Sequence, residues 1–296
     1  MIIVRIYEGL GNQMFEYAYA YALSRRKGYR EKVHIDIRDK EVSEWDKKRI
    51  YRPLEINQFC ISLPIASKDM LRKWSYIENL SIMQKIIYQL AQKGIWKYKF
   101  LIESNFNYDK RYCRPGNDMY ISGWFQHYEY FEKLRPKLLC EFTLKQNYIM
   151  PQELQYVMNN YEVVSLHVRR GDYINNQYAR RLMSICGEDY YRKAVEYIKK
   201  RVNDAFLFVF TNDEKWVKSN LKFSIPNIVI SNHYGLSDVQ ELILMSKCQH
   251  NIIANSTFSW WGAWLNTNKD KIVIAPERWF RKEDRNSIAV ADWIKM

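Results

Sequence analysis

This sequence predicts an α/β fold built on parallel sheets, on three observations. Val164, Leu166 and Val168 alternate with Ser165 and His167, the period of a strand, and the strand runs into Arg169-Arg170-Gly171-Asp172. Ala205 to Phe210 is apolar throughout, as a strand covered on both faces requires. After residue 160, strand and helix patterns alternate regularly, which is the rhythm of a doubly wound sheet.

The chain has 296 residues, enough for two domains, and the expected division is 1–150 and 151–296. Residues 2–7 read as a buried first strand. Glu8-Gly9-Leu10-Gly11-Asn12-Gln13 follows as a turn, then a helix with Phe15, Ala18, Tyr19 and Ala22 on one stripe. Strand, glycine turn and helix start form the layout of a ligand loop, and a plain tight turn fits the same residues. Residues 33–37 give a second strand with Asp36 near its end. Residues 41–115 are irregular apart from an amphipathic pattern over 80–100, which reads either as a face packed on the protein or as a membrane-surface helix. Residues 120–126 form a strand interrupted by Gly123, and 129–139 a short helix. Pro151, Asn159 and Asn160 mark 144–160 as the linker.

The second half is more regular. Glu188 to Val202 is a helix with Tyr191, Ala194, Val195 and Ile198 facing inward. Strands follow at 205–210, ending in Thr211-Asn212-Asp213, and at 228–230. Ser237-Asp238-Val239-Gln240 opens a helix with a capping box, Leu242, Ile243 and Met245 inward. A strand at 251–254 delivers Asn255-Ser256-Thr257-Phe258-Ser259 into a helix carrying Trp260, Trp261 and Trp264. A last strand, 272–275, stops at Pro276.

Composition narrows the class. Lys plus Arg is 46 against 33 Asp plus Glu, a net charge of +13 that favours an acidic partner: nucleotide phosphates, nucleic acid or an anionic membrane. No RRM, KH, OB or helix-turn-helix pattern supports nucleic acid. The five cysteines are scattered without a CxxC pair, which argues against a disulfide framework or zinc site and for a reducing compartment. With no signal peptide or membrane-length apolar run, a cytoplasmic protein is expected, with peripheral contact to the inner membrane face compatible with its charge.

In an open parallel sheet ligands bind at the carboxyl ends of the strands. Three loops are expected there: Arg169 to Asp172, Thr211 to Asp213, and Asn255 to Ser259. They supply cations, a carboxylate, amides, hydroxyls and a helix N-terminus, a set suited to a diphosphate. Two guanidinium groups ending a strand are costly to desolvate without an anion, although a solvated pair with Asp172 in a local ion pair fits the ten residues equally. No G-x-S-x-G elbow, Walker A, HExxH or DxD pattern occurs. A metal-free diphosphate site is therefore expected, with arginine balancing the leaving-group charge.

His167-Val168-Arg169-Arg170-Gly171-Asp172-Tyr173 resembles the H-x-R-R-G-D-Y motif of the α-1,2-fucosyltransferases, glycosyltransferase family 11. Gly9 to Phe15 resembles that family's opening, Thr211-Asn212-Asp213 its second motif and Asn255 to Leu265 its third. The resemblance runs from residue 9 to about 265, with 41–115 the poorly matched part. It implies a GT-B-like architecture, two Rossmann-type domains facing each other across a cleft, with 1–150 on the acceptor side and 151–296 binding GDP-fucose. It also implies inverting transfer of L-fucose to the 2-hydroxyl of a terminal β-galactoside without an essential metal, on a galactose-terminated glycan acceptor.

On this reading Arg170, helped by Arg169, meets the β-phosphate, and Asn12 reaches the fucose or the phosphates. His167 either touches the guanosine or is a buried structural histidine. Asp172, Asn212, Asp213, Asn255, Ser256, Thr257 and Phe258 complete the donor site. The guanine of the implied donor needs a carboxylate to accept from N1–H and N2–H, and Glu241, then Asp238, are the candidates, with a plain solvated helix carboxylate fitting the same residues. Trp260 and Trp261 are expected to pack the helix. Asp36, Glu8 and Asp172 stand as alternatives for a catalytic base. A fucosyltransferase of another linkage and, from a different class, a basic nucleic-acid- or glycan-binding protein are the competing readings.

Overall fold

The structure is a computed structural model describing residues 1–38, 52–72, 86, 89–90, 100–103, 106–281 and 288–296; the side chains of residues 172 and 178 fall outside that description. The amphipathic pattern over 80–100 lies almost wholly outside the described residues. The chain divides into two compact units, Met1–Lys145 and Gln146–Met296, each with its own parallel sheet. It is thus α/β and GT-B-like, with two Rossmann-type halves.

In the first unit, strands β1 (Ile2–Arg5), β2 (Val33–Asp36), β3 (Phe100–Ile102) and β4 (Met119–Ser122) lie in the order β2-β1-β4-β3, every neighbour parallel. Helix α1 (Leu10–Ser24) follows β1. Its expected inner stripe is buried, but so is nearly every other residue, with Asn12 alone half-exposed. Tyrosine makes this all-round burial feasible, because each ring brings a hydroxyl that reaches an acceptor. Tyr17 Oη donates to Glu141, and Tyr19 Oη donates to the Tyr112 carbonyl at 2.8 Å. The helix expected at 129–139 begins later, as α3 (Arg135–Glu141), after two single 3₁₀ turns. A short helix α2 (Lys68–Arg72) lies between β2 and β3.

The second unit is regular. Helix α4 (Gln152–Asn160) precedes β5 (Glu162–Val168); α5 (Gly171–Asn175), α6 (Gln177–Leu182) and α7 (Glu188–Lys199) lead to β6 (Ala205–Thr211). Then come α8 (Glu214–Asn220), β7 (Asn227–Val229), α9 (Asp238–Lys247), β8 (His250–Ile252), α10 (Thr257–Leu265), β9 (Val273–Ala275) and β10 (Ile294–Lys295). The stretch expected as linker is mostly α4, whose Leu154 and Val157 enter the core. Pro151 is tolerated there because it sits at the N-cap, where no intrahelical N–H is lost.

The sheet order is β10-β9-β8-β5-β6-β7, all parallel. The chain runs outward from β5 through β6 to β7, then returns to place β8 on the other side of β5. The reversal point between β5 and β8 is where open α/β sheets hold ligands, beyond the carboxyl ends of the strands. Side-chain alternation splits the core into two layers. Val164, Leu166, Val168, Leu207 and Val209 pack under α7 with Tyr191, Ala194, Val195 and Ile198. Val163, Phe208 and Phe210 pack on the opposite face with Leu154 of α4 and Leu244 and Met245 of α9. The expected inward face of α9 holds at Leu242 and Met245, whereas Ile243 is half-buried and Leu244 takes the inner position. The capping box forms as expected, Ser237 Oγ accepting from Gln240 N and Gln240 Oε1 from Ser237 N. Gly262 permits α10 to approach α9, since a Cβ there would lie 2.8 Å from Met245 Cβ. Trp260 and Trp261 are fully buried, as expected of packing residues. Among the described residues no helix is long and apolar enough to cross a membrane.

Candidate active site

The register Val168↔Thr211 puts the ends of β5 and β6 side by side, and β8 pairs with β5 from the other flank. The three loops expected to meet therefore do meet, and they are bonded to one another. Asn212 Oδ1 accepts from the backbone N–H groups of Arg170 at 3.0 Å and Gly171 at 3.2 Å. Tyr173 Oη donates to the Asn255 carbonyl at 2.9 Å. His167 Nδ1 lies 2.8 Å from Ser259 Oγ, linking β5 to α10.

Arg170 follows the last strand residue by two positions, and its guanidinium carbon sits 3.9 Å from the centre of the Trp216 ring on α8. Nη1 is 3.5 Å from the Cys186 carbonyl, a marginal hydrogen bond. Nε is shielded from solvent and has no hydrogen-bond partner among the described residues. A buried, unanswered N–H on a cation is expensive unless an anion completes it. Arg169 is half-buried, its guanidinium 5.9 Å from the Tyr173 ring. Across the reversal point, α10 begins at Thr257 after the N-cap Ser256, whose side chain makes no capping bond. Ser256 thus offers no side-chain acceptor to the first turn of that helix, the end of a helix that holds anions.

Several predicted donor-site residues work inside the protein. His167 is 4% exposed, so what it contributes passes through Ser259 and the start of α10. Asn255 is fully buried, with Nδ2 donating to the Trp279 carbonyl at 3.2 Å. Asp213 Oδ1 caps α8 by accepting from Trp216 N at 3.2 Å, and Asn212 braces the arginine loop. Ser256 is buried, and Thr257 and Phe258 are half-exposed at the helix tip. The side chain of Asp172 is outside the described set. Trp216 and Tyr173 were missed as site residues, because neither an aromatic inside a polar helix nor a tyrosine beside the arginines shows in sequence which face it covers.

Glu241 lies half-buried on α9. Ser231 Oγ donates to its Oε2 at 2.9 Å and itself accepts from Thr211 N at 3.0 Å, which ties the carboxylate to the end of β6. Burial pushes the Glu241 carboxyl up to about 7 against the lowering effect of that Ser231 bond.

The first unit has its own reversal point, between β1 and β4. Asn12 is there, as its turn predicts: Nδ2 donates to Glu8 Oε2 at 2.7 Å and Oδ1 accepts from Gln126 Nε2 at 3.0 Å. Gln13 is spent on structure, donating to the Glu8 and Pro53 carbonyls and accepting from Glu55 N and Ile56 N. Asp36 is 2% exposed and receives hydrogen bonds from Arg38 and Tyr120. Burial alone would raise its carboxyl, but those bonds hold it below the ordinary range. An acid so stabilised as its anion is a poor proton acceptor, which removes Asp36 from the candidate bases.

The family model described as Glycosyl transferase family 11 matches residues 1–296. The chain therefore belongs to glycosyl transferase family 11 and is a glycosyltransferase. It is similar to the O-antigen biosynthesis glycosyltransferase WbnK of Escherichia coli, 32% identical over 97% of this chain and 98% of that one. It is also similar to an alpha-1,2-colitosyltransferase of Escherichia coli, 32% identical over 97% of this chain and 95% of the other. A mouse galactoside alpha-(1,2)-fucosyltransferase 2 is 26% identical over 90% of this chain and 68% of its own length.

Proposed function

We propose that the protein transfers L-fucose from GDP-fucose to the 2-hydroxyl of a terminal β-galactoside, with inversion and without a metal. The observation that carries this reading is Arg170. Its guanidinium is stacked on Trp216 beside the β5–β8 reversal point, with a buried Nε that lacks a partner among the described residues. A diphosphate supplies the missing acceptor, and the uncapped start of α10 adds backbone donors from the other flank.

Charge on the diphosphate grows as the glycosidic C–O bond breaks, so a fixed cation there stabilises the transition state more than the ground state. Arg170 is the catalytic cation, Arg169 its helper, and Ser256, Thr257 and Phe258 supply hydroxyl and N–H groups. Glu241, tied through Ser231 to the end of β6, is the proposed acceptor for guanine N1–H and N2–H. Asn12 belongs to the sugar-handling side, in the first unit. Relatives named for 1,2-linked transfer of fucose or colitose support the linkage. They also favour a second reading, in which the transferred sugar is colitose on the same nucleotide.

The test is GDP release from GDP-fucose with lactose as acceptor and EDTA present, run beside the GDP-colitose donor. Acceptor-dependent release that survives EDTA and collapses in Arg170→Ala is the expected result. Release from GDP-colitose alone transfers the assignment to the second reading, and loss of activity in EDTA restored by a divalent cation overturns the metal-free mechanism.

A further inference from the structure

The excess positive charge is not spread evenly along the chain. Residues 25–32 and 109–118 hold eight cations and three acids, so 18 of 296 residues carry five of the 13 excess positive charges. The two segments form one surface. Arg26 Nη1 donates to the Cys113 carbonyl at 3.1 Å, and the Tyr29 hydroxyl donates to the Pro115 carbonyl. Each segment leads into the start of a strand. Ile2 N donates to the Lys32 carbonyl at 2.8 Å, just before β2, and Met119 N, at the head of β4, donates to the Met1 carbonyl at 3.0 Å. The cations therefore line the amino edge of the first sheet, away from the carboxyl ends of its strands, where the turn from Glu8 to Asn12 lies.

Local structure accounts for three of the eight. Arg25 lies over the Tyr21 ring, 4.5 Å from its centre, Arg26 holds the Cys113 carbonyl, and Arg111 pairs with Asp109. Cations just past the last turn of α1 also meet the negative end of the helix dipole. Lys27, Arg30, Lys32, Lys110 and Arg114 have no such account: they are exposed and have no partner among the described residues. Like charges gathered on one edge repel one another, so the fold gains nothing from collecting them, and a counter-charge from outside relieves the repulsion. Five free, exposed cations suit a layer of anionic headgroups rather than one caged anion, which would need enclosed donors converging on it. Nucleic acid fits less well. Single-strand binders stack bases on open rings, whereas Tyr21 and Tyr112 are buried here and the Tyr29 hydroxyl is tied down.

We propose that this amino edge of the first unit docks the protein on an anionic phospholipid bilayer. The cations meet the headgroups as solvated charges, so the attachment is reversible and weakens with salt. It leaves the carboxyl edge of the same sheet uncovered for a ligand. It holds whether or not GDP-fucose is the donor, so its failure and that of the functional reading are told apart.

Vesicle sedimentation tests the docking edge. The protein is spun with vesicles of phosphatidylcholine, alone or with about 30% phosphatidylglycerol, at about 0.05 M and about 0.5 M salt. Binding to the anionic vesicles only, lost at the higher salt, is the expected result. A quadruple variant, Lys27→Gln, Arg30→Gln, Lys110→Gln and Arg114→Gln, should bind them on the order of 100-fold more weakly, with circular dichroism and melting temperature unchanged. A control carries the same net charge, with the exposed Lys193, Lys199, Lys200 and Lys222 of the second unit changed to glutamine. It should stay within about threefold of wild type. Equal losses in the two variants would show overall charge at work and overturn the docking edge. Binding to neutral vesicles as strong as to anionic ones overturns the electrostatic attachment, as does wild-type protein that ignores anionic vesicles at low salt. If a single-stranded oligonucleotide is held through the same four residues while the vesicles are not, the surface belongs to nucleic acid and the membrane assignment falls.

Discussion

The two units use one topological device with opposite chemistry, cations in one and carboxyl groups in the other. Each has a parallel sheet whose strand order reverses beside its first strand, at β1/β4 in one and β5/β8 in the other. At the β5/β8 reversal the side chains are Arg169 and Arg170, with an uncapped helix start nearby. At the β1/β4 reversal they are Glu8, Glu16 and Glu103, with the amides of Asn12 and Gln126. A parallel sheet thus fixes where a ligand sits, and the loop residues fix what sign of ligand it is. The cationic end suits a diphosphate. The other end, where burial pushes the Glu16 and Glu103 carboxyls up towards their neutral forms, suits neutral hydroxyls.

The largest effect should come from removing the cation. Arg170→Ala is expected to lower turnover about 10²- to 10³-fold, the scale seen when a preorganised charge is taken from a transition state. Steady-state kinetics check it, with circular dichroism unchanged. An equal loss of thermal stability would mean that Arg170 serves the fold and would collapse the contrast between the units.

The acidic end makes a different kind of prediction, in stability. Burial pushes the Glu103 carboxyl up to about 7, against the lowering pull of the Phe125 and Trp124 N–H groups. A carboxyl raised in the folded state stabilises the fold at pH values below its unfolded pKa. That contribution fades as pH rises through about 7. Glu103→Gln, which keeps an acceptor for both N–H groups, should therefore match wild type near pH 4 and exceed it at pH 8. The gain is bounded at about 3 kcal/mol by the size of the shift. Urea unfolding at the two pH values reads it, and parallel curves for the two proteins would show that Glu103 ionises without cost.

How much of this contrast was legible beforehand depended on periodicity. β5, β6 and α7 were plain because Val164, Leu166 and Val168 repeat every second residue and Tyr191, Ala194, Val195 and Ile198 follow a helical stripe. The arginine loop was legible because two cations at a strand end lack a packing explanation. The short edge strands β3 and β10 gave no such signal, having too few residues to show a period. Helix α4 reads as linker in the sequence because Pro151, Asn159 and Asn160 mark its two ends, while Leu154 and Val157 are its only deeply buried positions. The roles of Asn212 and Gln13 were invisible for another reason. Each bonds to backbone far away in sequence, across 42 residues for Asn212 with Arg170 and 42 for Gln13 with Glu55, and composition carries no trace of that.

Glu241 breaks the simple sign rule, since it is an acid in the cationic unit. Its carboxyl is pushed up to about 7 by burial, so it passes from neutral to charged across the neutral range. Guanine N1–H and N2–H require the charged form as acceptor. GDP affinity should therefore fall about tenfold between pH 8 and pH 6, following the ionised fraction of a group with that pKa. Calorimetric titration of GDP at both values checks this. Glu241→Gln should bind weakly at both and flatten the dependence, whereas an unchanged slope in that variant would assign it to the phosphates instead.

The smallest expected effect concerns what holds the cation rather than the cation itself. Trp216 lies under Arg170, and a guanidinium stacked on an indole gains roughly 0.5–2 kcal/mol. The same tryptophan also packs against the α7 side of the core, so its loss mixes positioning with packing. Two replacements separate them. Trp216→Leu preserves apolar volume without a ring face, and Trp216→Phe preserves a face. If the stack aims Arg170, the leucine variant should lose about five- to tenfold in kcat with little change in KM for the donor, and phenylalanine should recover most of it. Both should melt at similar temperatures. Equal losses in the two variants, tracking their melting temperatures, would reduce Trp216 to a core residue. Arg170 would then owe its aim to its backbone alone, where Asn212 holds the N–H groups of Arg170 and Gly171.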